Sequence, residues 1–120
     1  MPVHRLPRGD RDPPLLEKWG PPGRVIAGDP VQSGRNYYAD ATGQFSTGIW
    51  ECTPGKWRVD YTEDEFSHLL VGKVVFADAH GASESFVAGD SYVIPAGFRG
   101  TCEVVETARK IYAVHETRAA

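Results

Sequence analysis

The sequence predicts a single small all-β domain, a sandwich or barrel, behind an extended N-terminal arm. Its 120 residues give room for one core and little more. From Gly34 onward, short runs rich in Val, Ile, Tyr, Phe, Trp and Thr alternate with Gly, Pro and Asp. No amphipathic helix of three turns interrupts that texture. Many short strands at regular spacing imply two facing sheets or a closed barrel.

Taken in order, residues 1–33 are expected to be an irregular arm. They carry Pro13-Pro14, Pro21-Pro22-Gly23 and mixed charges, and such a segment cannot build a core of its own. Residues 15–19 could form one helical turn docked on the domain. Residues 34–116 form the barrel. Candidate strands run over residues 35–39, 46–52, 56–62, 65–71, 73–78, 84–87, 91–94, 101–106 and 110–115. The breaks fall at Thr53-Pro54-Gly55, Gly72, Ala79-His80-Gly81, Ala88-Gly89-Asp90 and Pro95-Ala96-Gly97. Residues 117–120 are a tail. Alternation fixes faces because successive strand side chains point opposite ways. Over residues 56–62 it places Trp57, Val59 and Tyr61 inward and Lys56, Arg58, Asp60 and Thr62 outward.

Composition excludes several classes. The formal net charge is -3 and hydrophobic residues make up 41% of the chain, so no basic stripe is offered to nucleic acid or anionic lipid. No apolar run is long enough for a membrane helix. Residues 1–12 mix Pro, Arg and Asp without an apolar stretch and do not read as a signal peptide. A cytoplasmic protein is expected, with no membrane or nucleic-acid partner. Cys52 and Cys102 form no CxxC pair and read as buried thiols rather than a disulfide or zinc site.

Two motifs sharpen the fold. Glu65 is followed after six residues by Gly72, and Gly89 is followed by five residues, Pro95, one residue and Gly97. Their order and spacing resemble the two motifs of cupins, which implies an RmlC-like double-stranded β-helix, or jelly-roll barrel, enclosing one pocket. Gly48-Ile49-Trp50-Glu51, Asp64-Glu65-Phe66, Leu70-Val71-Gly72 and Arg109-Lys110-Ile111-Tyr112 are similar to small single-domain cupins grouped with the cupin domain of (S)-ureidoglycine aminohydrolase. The chain departs from that pattern where cupins hold metal. The positions of the two motif histidines fall on Val59 and Tyr61, or on Arg58 and Asp60, and that of the third falls on Gly100. Of the usual ligands only Glu65 is present, so neither a metal nor another cofactor is expected.

The candidate site follows from the faces. Glu65 is expected inward, as an acid/base group or ligand hook, or else as half of a structural pair with Lys110 or Arg109. A buried carboxylate without a partner costs several kcal/mol, about enough to force pairing or protonation. Tyr61 could offer its hydroxyl to a ligand or to Glu65, or simply fill core. Lys110 and Tyr112 share a strand face, and Lys110 pointing inward would hold an anion or pair with Glu65. Trp50 and Trp57 read as core or pocket wall. Cys102 shares the face of Gly100 and reads as a buried inert thiol more readily than a reactive one. His68 lies on the face opposite Glu65.

The expected ligand site is therefore Trp57, Val59, Tyr61, Glu65, Ser67, Cys102, Lys110 and Tyr112, with an unassigned small molecule, anionic or ureido, as the partner. Two alternatives stand beside it. One is a metal-independent isomerase or hydrolase using Glu65 with Tyr61 or Lys110. The other is a non-catalytic module that dimerises or binds protein. A homodimer is expected, with the arm lying across a neighbouring subunit or across its own barrel.

Overall fold

The computed structural model describes residues 2–7 and 16–117, and within them the chain is all β. Nine strands follow in order: β1 (Glu17–Lys18), β2 (Arg24–Gly28), β3 (Gln32–Ala39), β4 (Phe45–Cys52), β5 (Gly55–Asp60), β6 (Asp64–Asp78), β7 (Ser83–Val87), β8 (Ser91–Ile94) and β9 (Arg99–His115). All pairings are antiparallel and form one curled sheet in the order β1-β3-β4-β9-β5-β2, while β6 runs beside β9 and carries β7 and β8 on its other edge. This is the double-stranded β-helix that the resemblance to cupins implies.

Two long strands make the curl. The sequence reading splits residues 65–78 at Gly72 and residues 101–115 at residues 107–109; each pair of candidates is in fact one continuous strand. β9 gives its first half to β5 and its second half to β4, while β6 follows it along nearly its whole length. The β6–β9 ladder shifts register between Leu69 and Val74. There Gly72 takes φ +92°, and a Cβ would overlap the Thr107 carbonyl oxygen and press on Ala108 Cα. Gly72 thus bends the strand without ending it. The irregularity also changes the parity of β6: buried positions are Glu65, Ser67 and Leu69 before it, and Val74 and Phe76 after it.

The alternation read for residues 56–62 is observed from Trp57 onward: Trp57 is buried, Val59 and Tyr61 are half-buried, and Arg58, Asp60 and Thr62 are exposed, while Lys56, expected outward, is half-buried. Trp57, Leu69, Val74, Phe76, Ile94, Cys102 and Val104 belong to one apolar core between the two halves of the curl. Neither Cys52 nor Cys102 is in a disulfide, and both are buried. No helix among the described residues is long and apolar enough to cross a membrane.

The arm differs from its expected form. Among the described residues of segment 15–19, Glu17 and Lys18 form a two-residue strand on β3 rather than a helical turn; Leu15 lies outside the described residues. Arg24–Gly28 is a further strand, paired with β5 and exposed at all five positions. The arm therefore lies on its own barrel, and it joins the two ends of the strand order. Residues 19–23 cross from β1 at one end to β2 at the other. Of the tail, residues 118–120 lie outside the described residues.

Candidate functional site

The inward faces of β5, β6 and β9 enclose a cavity of about 550 Å³. Glu65 and Lys110 stand at its floor, 9% and 6% exposed, on the adjacent strands β6 and β9: Glu65 faces Val114 and Lys110 faces Leu69. Alternation puts both side chains on the same inner face, and Lys110 Nζ donates to Glu65 Oε2 at 2.6 Å. Ser67 Oγ donates to the same oxygen at 2.9 Å. Glu65 Oε1 accepts no hydrogen bond among the described residues. The Lys110 ammonium also lies 4.7 Å from the Trp50 ring centre, where the ring quadrupole favours a cation.

The walls are aromatic. Trp57 and Trp50 meet with ring centres 6.4 Å apart, and Trp19 meets Tyr112 edge-on at 6.5 Å. Trp50 Nε1 donates to Gln32 Oε1 at 2.8 Å, which fixes the Gln32 side chain at the cavity wall. Tyr112 turns its hydroxyl away to Asn36 Oδ1, 3.0 Å distant, across Gly48, whose missing Cβ leaves the space it needs. Tyr61 lines the cavity with its ring against Phe98 at 6.4 Å, and no hydrogen bond joins it to Glu65. Above Glu65, Arg58, Asp60 and Glu63 also line the cavity.

Seven of the eight residues expected at the site, Trp57, Val59, Tyr61, Glu65, Cys102, Lys110 and Tyr112, line this one cavity. Ser67 does not. It shares the face of Glu65 but is wholly buried behind it, where it supports the carboxylate. His68 points the other way and bonds Ser91 Oγ through Nδ1 at 2.8 Å. Arg109, the other cation considered for Glu65, instead bonds Glu51 Oε1 through its Nη2 at 2.6 Å. Sequence reasoning missed Trp19, Gln32, Pro22 and Gly23, which also line the cavity. Trp19 donates its backbone N–H to the Gln32 carbonyl at 3.0 Å and lays its ring over Gly34, where any Cβ would overlap it. A lone Trp in a Pro- and Gly-rich segment, followed by Val25-Ile26 between Gly23 and Gly28, was the available signal.

Electrostatics sort the candidates by what they can do. Burial draws the Lys110 ammonium down, but Glu65 at contact distance, with Tyr92 and Tyr61, outweighs it and holds the pKa above its usual value. Lys110 is therefore a fixed positive charge and not a base. Burial pushes the Tyr61 phenol well above its ordinary 10.0 despite the opposing pull of Lys110, so it stays protonated. Burial pushes the Cys102 thiol up to about 12 and the Cys52 thiol up to about 11, again against Lys110. Neither is a thiolate nucleophile at neutral pH.

The buried thiols have a measurable consequence. Above pH 9.0, their ordinary value, the unfolded chain releases thiol protons that the folded chain still holds. The native state then binds more protons, so stability falls as pH rises from about 9 towards 12. Tyr112, raised to about 12 by burial and by Glu65, adds to the same loss. Urea unfolding at stepped pH should show this decline, and a disulfide thiol reagent at pH 8 should label neither cysteine before unfolding. Rapid labelling of the native chain would contradict the assignment.

The donor set does not fit the metal that the fold family implies. In neither register of the motif does a histidine stand at the cavity wall: one puts Val59 and Tyr61 there, the other Arg58 and Asp60, and all four line the cavity. At position 100 a Cβ would overlap the Ala77 carbonyl oxygen, so no side chain fits there without backbone movement. Lys110 already occupies Glu65 Oε2. No group of three or more His, Cys, Asp or Glu side chains suited to a metal occurs among the described residues.

Comparison with known proteins agrees with this geometry. The EutQ-like cupin domain family matches residues 39–112. A solved protein of unknown function from Pseudomonas syringae pv. tomato superposes with TM-score 0.78 at 26% identity, over 85% of this chain and 45% of that one. This chain thus spans less than half the length of that relative. A DUF861 family protein from Thermotoga maritima is 31% identical, with TM-score 0.52 over 53% of this chain and 73% of its own. The EutQ protein of Clostridium difficile shares the fold at 19% identity, with TM-score 0.64 over 72% of this chain and 69% of its own. No protein of curated function matches. By the match over residues 39–112, the chain belongs to the EutQ-like cupin domain family.

Proposed function

We propose that this domain binds one small molecule in the barrel cavity, against the Glu65–Lys110 pair. The observation that carries the reading is a buried ion pair left open to a cavity of about 550 Å³, within the range of small-molecule sites. Burying two charges is costly, and apolar side chains of similar volume would stabilise the barrel as well or better. A pair kept at the floor of a cavity with aromatic walls is suited to recognition. The likeness to the cupin domain of (S)-ureidoglycine aminohydrolase belongs to this proposal at the level of pocket position only, because the metal chemistry of that enzyme has no ligands here.

The same chemistry ranks the alternatives. An isomerase or hydrolase pairing Glu65 with Lys110 or Tyr61 needs an acid that yields its proton near neutral pH, and both candidates hold theirs more tightly than usual. A module serving only to dimerise has no use for an unfilled polar cavity.

A thermal-shift screen of small metabolites on the untagged protein tests the reading. A ligand at one hundred times its Kd stabilises by about 2.7 kcal/mol, enough to move the midpoint by several degrees. The shift should vanish in Glu65→Gln. Compounds that stabilise Glu65→Gln as much as the parent chain would place binding elsewhere and overturn the proposal.

A further inference from the structure

The floor of the cavity has two groups with unspent hydrogen-bonding capacity, and their signs are opposite. Glu65 spends Oε2 on both Lys110 and Ser67, and Oε1 accepts nothing among the described residues. Lys110 Nζ has three protons, and among the described residues one of them finds an acceptor. Both residues are buried, and both line the cavity. Unspent donors and acceptors in such a place define what can fill it, because a guest that leaves them unpaired loses their solvation without return.

Charge narrows the guest. An anion would approach Lys110 only by also approaching Glu65 and Glu63. The charged residues lining the cavity are Asp60, Glu63 and Glu65 against Arg58 and Lys110, so carboxylates outnumber cations by one. A cation would meet Lys110, whose charge is held in place by its contact with Glu65 and by the Trp50 ring. A neutral group with an acceptor and a donor side by side meets neither repulsion.

We propose, building on the small-molecule reading above, that the site recognises an uncharged, flat group in which a carbonyl and an N–H are adjacent. This is the edge presented by lactams, imides and oxo-substituted pyrimidines and purines. The carbonyl accepts from Lys110 Nζ, the N–H donates to Glu65 Oε1, and the ring lies against the aromatic wall of Trp50, Trp57 and Trp19. Flat faces gain from such walls by stacking. The strength comes from the two charged partners, since hydrogen bonds to ionised groups are about twice as strong as neutral ones. No bond to the guest is made or broken.

The experiment is calorimetric titration of the full chain at pH 7 with flat probes that keep or lose that edge, the matched pair being 1-methyluracil and 1,3-dimethyluracil. 2-Pyridone, 1-methyluracil and hypoxanthine keep it; 1,3-dimethyluracil keeps the ring and loses every N–H. Benzoate and benzamidine supply an anion and a cation of similar size. The expected result is binding of the first three, with 1,3-dimethyluracil at least tenfold weaker than 1-methyluracil, and weaker binding by both charged probes. Equal affinities for the two uracils, or preference for benzoate or benzamidine with quenching of tryptophan fluorescence, would overturn this inference and leave the cavity as a binding site. No binding by any probe at millimolar concentration, together with no stabiliser in the thermal screen, would remove both.

Discussion

Lys110→Met is expected to destabilise the fold by about 3–5 kcal/mol, the usual loss when one partner of a buried pair is removed. Glu65 would remain 9% exposed, with Ser67 as its remaining hydrogen-bond donor. Glu65→Gln alone should also destabilise, because it leaves the buried Lys110 ammonium without its counter-charge; the loss is softened because the amide oxygen can still accept from Lys110 and the Trp50 ring still faces the ammonium. The double variant Glu65→Gln with Lys110→Met should recover much of the Lys110→Met loss, since the new side chains are uncharged and the methionine fills the lysine's place beside Trp50. Urea unfolding of all four proteins gives the coupling energy directly. A coupling near zero would mean that the 2.6 Å contact contributes nothing to the folded state. The same outcome would remove the ground for placing a ligand on it.

Gly72→Ala is expected to be nearly as damaging, for an unrelated reason. At φ +92° a Cβ is strained whatever surrounds it, at about 1–3 kcal/mol. Here it would also press on the Thr107 carbonyl oxygen and Ala108 Cα, backbone atoms that cannot rotate aside, adding about 1–3 kcal/mol more as overpacking does. Gly81 and Gly89 supply the control. Each has positive φ, but nothing lies within 4 Å of its Cβ position, so alanine there meets the strain alone. Chemical denaturation should rank Gly72→Ala clearly below both. Equal losses at the three sites would show that the close approach of β6 and β9 at Gly72 is relieved by a small shift.

Which parts of this were legible in the sequence depended on how local the cause was. The inward set Trp57, Val59 and Tyr61 follows from strict alternation, and Glu65 with Lys110 from motif position plus the cost of burying a charge unpaired. The bend at Gly72 reads as a stop, because a glycine that ends a strand and one that kinks it carry the same letter; the difference lies in whether β9 follows on the other side. Residues 107–109 fall between two candidate strands but hold no Gly or Pro, and in the structure exposed Thr107 and buried Ala108 continue the alternation within an unbroken β9. Ser67 was given the right face and the wrong depth, since alternation assigns a direction and not a distance from the cavity. Trp19 escaped because its contacts are with Gly34, Gln32 and Tyr112, up to 93 positions further along the chain.

The sharing of β6 and β9 between both halves of the curl has a consequence for how the molecule comes apart. β6 has 15 residues and β9 has 17, and each passes through the bend without a break in the chain's extended course. Opening either half strips one side of the two strands on which the other half is built. The barrel therefore has no smaller unit that can melt by itself, and it should unfold as one cooperative body, with local opening confined to its margins. β2, exposed at every position, is such a margin. Pro22 and Gly23, which lead into β2, line the cavity, so opening at this margin would reach the cavity wall while the two long strands stay paired.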